Sequence, residues 1–174
     1  MNFKNILITI IFLIIPSKSF ALIEVDITRG NLNPLPIAIS SLASDNSSKT
    51  QLTKLLKIDD VGLEISKVIE NNFRQSGLFN PLDKDSFLQK PDIAHLKPRF
   101  EDWSLIKAQA LITGKVLIEN DKLKVEFRLW DVLAAREMLA LAFTTVPSNW
   151  RRVGHIITDK VYERLTGEKG YFDT

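Results

Sequence analysis

Two hydrophobic periods alternate along the chain. Leu22–Gly30 (LIEVDITRG) has period two: Ile23, Val25 and Ile27 fall on one side and Glu24, Asp26 and Thr28 on the other, a short half-buried strand ending at a glycine. Pro34–Ile39 reads as a second strand whose prolines are confined to the start, where a missing N–H is tolerated. Ser40–Thr53 is rich in Ser, Asn and Lys and reads as a loop. The period then changes. Val61, Ile65, Val68, Ile69 and Phe73 form a stripe at helical spacing. Asp59 or Asp60 is placed to accept from the first-turn N–H groups, and Gly77 supplies a left-handed stop.

Leu78–Phe87 is expected to turn through Asn80-Pro81, and Pro91–Pro98 to be irregular. Phe100–Lys107 reads as a short helix opening on Glu101 and Asp102, acids that complement the helix dipole. The strongest β signal follows. Ala108–Ile118 is one apolar strand, Glu119-Asn120-Asp121 turns, and Lys122–Val132 alternates, with Leu123, Val125, Phe127 and Leu129 inward. Met138–Val146 returns after Leu133–Glu137. Pro147-Ser148-Asn149 then opens a second long helix whose stripe is Val153, Ile156, Ile157, Val161 and Leu165, stopped by Gly167. The order β-β-α-(α)-β-β-β-α puts an antiparallel meander beside two amphipathic helices that cover one face. The fold expected is α+β, one layer of helix on one sheet.

Residues 1–21 have a different character. Lys4 precedes the apolar run Ile6–Ile15, Pro16 and Ser17 break it, and Ser19-Phe20-Ala21 places small residues at −3 and −1 of a cleavage site. This is the pattern of a secretory signal peptide cleaved after Ala21, leaving 22–174 as one domain. A membrane span needs about 20 apolar residues, so the shorter run argues for removal rather than insertion. No Cys follows to carry a lipid, and the product is expected to be soluble and exported, in a bacterial periplasm.

Charge and cysteine narrow the function. The formal net charge is +2, but two of the 23 basic residues, Lys4 and Lys18, lie in the leader, so 21 bases face 21 acids in what remains. A neutral domain has no broad electrostatic footprint for nucleic acid or anionic membrane. Zero cysteines in an exported chain exclude disulfide staples, zinc-thiolate sites and thiol catalysis.

Reaction centres are equally scarce. No two of the seven glycines make a G-x-G pair, and Thr166–Gly170 fits a helix C-cap better than a phosphate loop. His95 and His155 are the only histidines; His155 and Asp159 share a helical face, the spacing of an ordinary i, i+4 contact or, less simply, of an oriented base or a weak metal site. Asp59-Asp60 and Glu101-Asp102 fall at helix starts, where capping accounts for them; Asp83 and Asp85 make a third acidic pair. Trp150, beside Arg151-Arg152, reads as an aromatic stapling the start of its helix rather than a nucleotide platform. Trp130, on the polar face of its strand, reads as the mark of a surface that another domain or chain covers. The residues expected to be catalytic, to ligate a metal or to hold a cofactor are therefore none.

Ser76–Phe87 (SGLFNPLDKDSF), Trp103–Val116 (WSLIKAQALITGKV), Phe127–Val132 (FRLWDV) and above all Asn149–Thr174 (NWRRVGHIITDKVYERLTGEKGYFDT) resemble the amino-terminal domain of the TolB family of the Tol-Pal system. The resemblance runs over most of Leu22–Thr174. It implies helices on a mixed, largely antiparallel five-stranded sheet and a non-enzymatic periplasmic adaptor, which supports outer-membrane invagination during division and envelope integrity. It also implies that Leu22, Ile23, Glu24, Val25, Asp26, Ile27 and Thr28, at the start of the processed chain, bind TolA. An alternating strand at a free terminus suits that role, because it can pair with its own sheet or add to another protein's. Family members continue past GEKGYFDT into a β-propeller that contacts Pal; the sequence here stops at Thr174, so that contact is not expected. Two other readings are a small periplasmic hydrolase built on a His/acid pair and a non-functional truncated fragment.

Overall fold

The computed structural model describes residues 33–174; the leader 1–21 and the alternating segment Leu22–Gly30 lie outside them. The described elements are β1 (Leu35–Ile39), β2 (Ala43–Ser44), α1 (Asn46–Leu56), α2 (Val61–Ser76), β3 (Phe79–Pro81), α3 (Pro91–Ala94), α4 (Phe100–Leu105), β4 (Ala110–Glu119), β5 (Lys122–Asp131), β6 (Arg136–Thr145) and α5 (Trp150–Thr166). Single 3-10 turns occupy Lys84–Ser86 and Pro147–Asn149.

The meander forms where the alternation is cleanest. Asn120 and Asp121 adopt φ of 51° and 60°, the left-handed pair of a two-residue hairpin turn, and β4 and β5 pair without a slip from Ala110↔Asp131 to Glu119↔Lys122. β6 pairs antiparallel with β5, with one register shift at Leu129/Trp130. On the other side of β4 the sheet turns parallel: β1 pairs with β4 and with β3, and β2 pairs with β4 at Lys115 and Val116. The strand order is β3-β1-β4-β5-β6, with β2 off that path. The sheet is thus mixed and the fold α+β, with five strands on the main path as the resemblance implies and a sixth, two-residue strand beyond it.

Both long helices form where the stripes place them. Asp60, not Asp59, caps α2 by accepting from Leu63 N–H at 2.8 Å, and Gly77 closes it at φ 70°. Val61, Ile65, Val68, Ile69 and Phe73 are all buried. α5 closes at Gly167 with φ 75°; Val153, Ile157, Val161 and Leu165 are buried, while Ile156 is half-buried at the stripe's edge. These faces meet Ile37, Ile39, Ile112, Val116 and the inward row Leu123–Leu129 of β5 in the main core.

Four expectations are corrected. Ser40–Thr53 is not a loop: it holds β2 and most of α1. Asp45 Oδ1 accepts from Ser48 N–H at 2.8 Å and caps α1, which buries only Ser48 and Leu52, so its inward face is too narrow to show as a stripe. Asn80-Pro81 does not turn but ends β3, where tertiary pairing with β1 outweighs local preference. Pro91–Pro98 contains one helical turn, with Pro91 at its start where its missing N–H costs nothing. Helices also do not confine themselves to one face. Ala38 and Leu111, which point away from the main core, meet Ala94, Trp103, Ala108 and Val132 in a second cluster beneath β1 and β4.

Candidate partner-binding surfaces

The residues singled out for partner binding, Leu22–Thr28, lie outside the described residues. The described chain leads into β1, whose start is pinned on both sides: Leu35 N–H donates to Leu78 O at 3.0 Å and Gln109 N–H to Pro36 O at 3.0 Å. Beside that end of the sheet, Val132 N–H donates to Gln109 O at 2.9 Å, and Val132 and Leu133 wall a surface groove of about 640 Å³ opposite Lys97, Arg99, Phe100 and Ser104. Sequence spacing does not reveal this groove, because its walls come from segments some 30 residues apart that only the β1–β4–β5 pairing brings together.

Both histidines make structural contacts. His155 Nδ1 lies 3.0 Å from Asn72 Nδ2, which also donates to Thr158 Oγ1 at 3.0 Å, so this ring ties α5 to α2. Asp159 is engaged elsewhere: its carboxylate accepts from Phe172 N–H at 2.8 Å and Asp173 N–H at 3.0 Å. The i, i+4 contact between His155 and Asp159 is therefore replaced by two separate structural roles. His95 caps α3 with its Nδ1 3.2 Å from Pro91 O. Among the described residues no group of three or more His, Asp or Glu could hold a metal.

The acidic pairs have structural partners, but capping does not account for Glu101-Asp102, because α4 has no side-chain cap. Asp102 accepts from Arg99 Nε at 2.7 Å in the first turn of α4, and Asp83 accepts from Asp85 N–H at 3.0 Å in its 3-10 turn. Burial pushes the Glu126 carboxyl up, but hydrogen bonds from Lys124 and Lys115 outweigh that and hold it below the usual range. Trp130 is half-buried by the chain's own residues. Its Nε1–H donates to Thr113 Oγ1 at 2.8 Å, and the ring meets Phe100 edge-on at 5.8 Å. Trp150 lies in the main core as a helix staple, with the Arg151 guanidinium 4.6 Å from its ring centre. The residue that sequence reading passed over is Trp103. It is 1% exposed, donates from Nε1 to Gln89 Oε1 at 3.0 Å and meets Phe87 edge-on; Gln89 also accepts Arg99 N–H at 2.9 Å, which fixes the groove's far wall.

With the fold and these surfaces in view, comparison with known proteins is decisive. The pattern described as the TolB amino-terminal domain matches residues 23–138. The chain belongs to the TolB family. It is 77% identical over 165 residues to the Tol-Pal system protein TolB of Pelagibacter ubique (strain HTCC1062), a match covering 95% of this chain and 37% of that protein. The chain thus spans little more than a third of the length of that curated relative. The crystal structure of TolB from Acinetobacter baumannii superposes with a TM-score of 0.63 at 22% identity, over 80% of this chain and 30% of that one, and supports the family fold. The family match begins at Ile23, so it takes in six of the seven residues Leu22–Thr28. No helix of the described residues is long and apolar enough to cross a membrane.

Proposed function

We propose that this chain supplies a Tol-Pal adaptor domain in the periplasm, exported by residues 1–21 and cleaved after Ala21, which gives Leu22–Thr28 to TolA as an added strand. On this reading it is not an enzyme, and it supports outer-membrane invagination and envelope integrity by linking proteins. The observation that carries the reading is the 77% identity to a Tol-Pal system TolB over nearly the whole chain. The physics of the segment agrees with it. Each backbone hydrogen bond contributes roughly 1 kcal/mol net, and ordering each residue opposes it by about 1–2 kcal/mol. A seven-residue strand therefore binds moderately and reversibly, as an adaptor requires. Contact with Pal is implied by the resemblance for the propeller of family members and is not assigned to these residues.

The test is a titration of residues 22–174 and of residues 31–174 against the TolA C-terminal domain, followed by calorimetry. Binding by the longer protein and its loss in the shorter one are expected. Equal affinity for both would end the strand-donation reading.

A further inference from the structure

α2 and α5 are joined by a polar network in which each bond fixes the direction of the next. Thr158 Oγ1 donates to the Gly154 carbonyl at 2.8 Å, since a carbonyl oxygen can only accept. That hydroxyl has a single proton, so towards Asn72 it accepts, and the Asn72 atom 3.0 Å away is the amide Nδ2. The second Nδ2 proton is directed at His155 Nδ1, also at 3.0 Å. His155 Nδ1 is therefore the acceptor, and the ring's own proton is on Nε2. Asn72 is 6% exposed and Thr158 is fully buried, so these groups have little water to fall back on when a bond is lost. The two helices are tightly apposed here as well, with no room for a Cβ between Gly154 and Val68.

We infer that this network is a proton-sensitive latch, and that protonation of His155 at Nδ1 loosens α5 from α2. With a neutral ring the network has three bonds: Asn72 to His155, Asn72 to Thr158 and Thr158 to Gly154. A proton on Nδ1 sets two donors against each other and removes the first. Turning the amide over would offer the ring Asn72 Oδ1 as an acceptor. Thr158 must then leave Gly154 to donate to that same oxygen, so two of the three bonds remain. Either way the protonated interface is one bond poorer. The full set belongs to the neutral ring, so the contact is complete at high pH and weakens as pH falls through about 8 to 5, where an imidazole charges. The surrounding charges supply no replacement, because each is engaged. Arg151 and Arg152 lie one turn before His155 and Asp159 one turn after it. Arg151 lies over Trp150, Arg152 pairs with Asp173, and Asp159 holds the Phe172 and Asp173 amides. On α2, Asn71 and Gln75 beside Asn72 are uncharged, and Glu70 and Arg74 pair with each other at 2.7 Å.

Nitrogen-15 NMR of the imidazoles in residues 22–174 tests the starting state. At about pH 8, His155 should be the Nε2–H tautomer, with Nδ1 at the shift of a bare acceptor nitrogen. Lowering the pH to about 5 should reduce amide protection factors around Asn72 and in the first half of α5 at least tenfold, with β4 and β5 unchanged. Protection factors remove the intrinsic pH dependence of exchange, and this window stays above the ordinary carboxylate values. His155→Gln, which can accept but does not charge, should show no such acid step. Asn72→Asp replaces the donor with a carboxylate that accepts, and should abolish the step or reverse it. If that buried acid prevents folding, the other three measurements decide. An Nδ1–H tautomer at pH 8, protection unchanged at pH 5, or the same acid step in His155→Gln would overturn the latch, as would a folded Asn72→Asp protein that kept the wild-type step.

Discussion

Asp60 and Asp45 show how single carboxylates set where helices begin. Four N–H groups at each helix start have no partner within the helix, and one side-chain oxygen satisfies one of them. Asp60 does this for Leu63 N–H and is also 3.4 Å from Lys49 Nζ. Asp60→Ala should cost about 1 kcal/mol and lower Tm by about 2–4 °C, with Asp59→Ala close to neutral; urea denaturation of both variants checks this. Asp45 adds a pH dependence. Hydrogen bonds from the Ser48 backbone, then from the Ser48 hydroxyl, hold its carboxyl below the ordinary 3.8. A pKa lowered on folding means that the stabilisation is complete above the unfolded value and is lost as pH falls through the lower folded one. The stability gap between the wild-type chain and Asp45→Ala should therefore be constant near neutrality and close below about pH 4. A gap that widened on acidification would contradict the assignment.

Elements differ in how legible they are before folding. α2, β4, β5 and α5 announce themselves because each buries a full face, and burial writes a period into the sequence. α1 and β3 do not, because partners distant in sequence create them: Ser48 Oγ accepts Ile118 N–H at 3.0 Å, and Leu82 N–H donates to Ile37 O at 2.9 Å after Asn80-Pro81 is drawn alongside β1. The groove near Val132 is hidden for the same reason. The α2–α5 contact is a further case, for nothing around Gly154 marks it as more than a weak helix former. A Cβ there would lie 2.8 Å from Val68 Cγ1 and 2.9 Å from Val68 Cβ. Alanine gains about 1 kcal/mol of helix propensity, but overpacking costs about 1–3 kcal/mol, and a β-branched valine in a helix cannot swing aside. Gly154→Ala should therefore be destabilising in the wild-type chain, and less destabilising in a Val68→Ala background, which removes the Cγ1 contact but keeps the Cβ one. A double-mutant cycle by thermal denaturation measures the sign of that coupling.

At the scale of the whole molecule, the last residues are bound back onto α5 rather than trailing from it. Asp159 accepts both the Phe172 and Asp173 N–H groups, Arg152 Nε donates to Asp173 Oδ1 at 2.9 Å, and Gly170 lies against Asp159 where a side chain would not fit. Tyr171 and Phe172 stack at 4.4 Å, and each meets Tyr162 edge-on. That cover is recorded in Tyr162, whose phenol is pushed up chiefly by burial and further by Tyr171 and Glu168. The carboxylate is the centre of the arrangement, since it holds two successive amides, while the Arg152–Asp173 pair has its guanidinium in solvent, where water and salt weaken it. Asp159→Ala should thus release residues 170–174 as a unit. Amide exchange at Phe172 and Asp173 should accelerate at least tenfold, exchange in the middle of α5 should be unchanged, and Tyr162 should titrate closer to its ordinary value of about 10. Arg152→Ala should produce a smaller change in the same amides. If Arg152→Ala freed the tail and Asp159→Ala did not, the exposed ion pair rather than the amide-binding carboxylate would be the fastening.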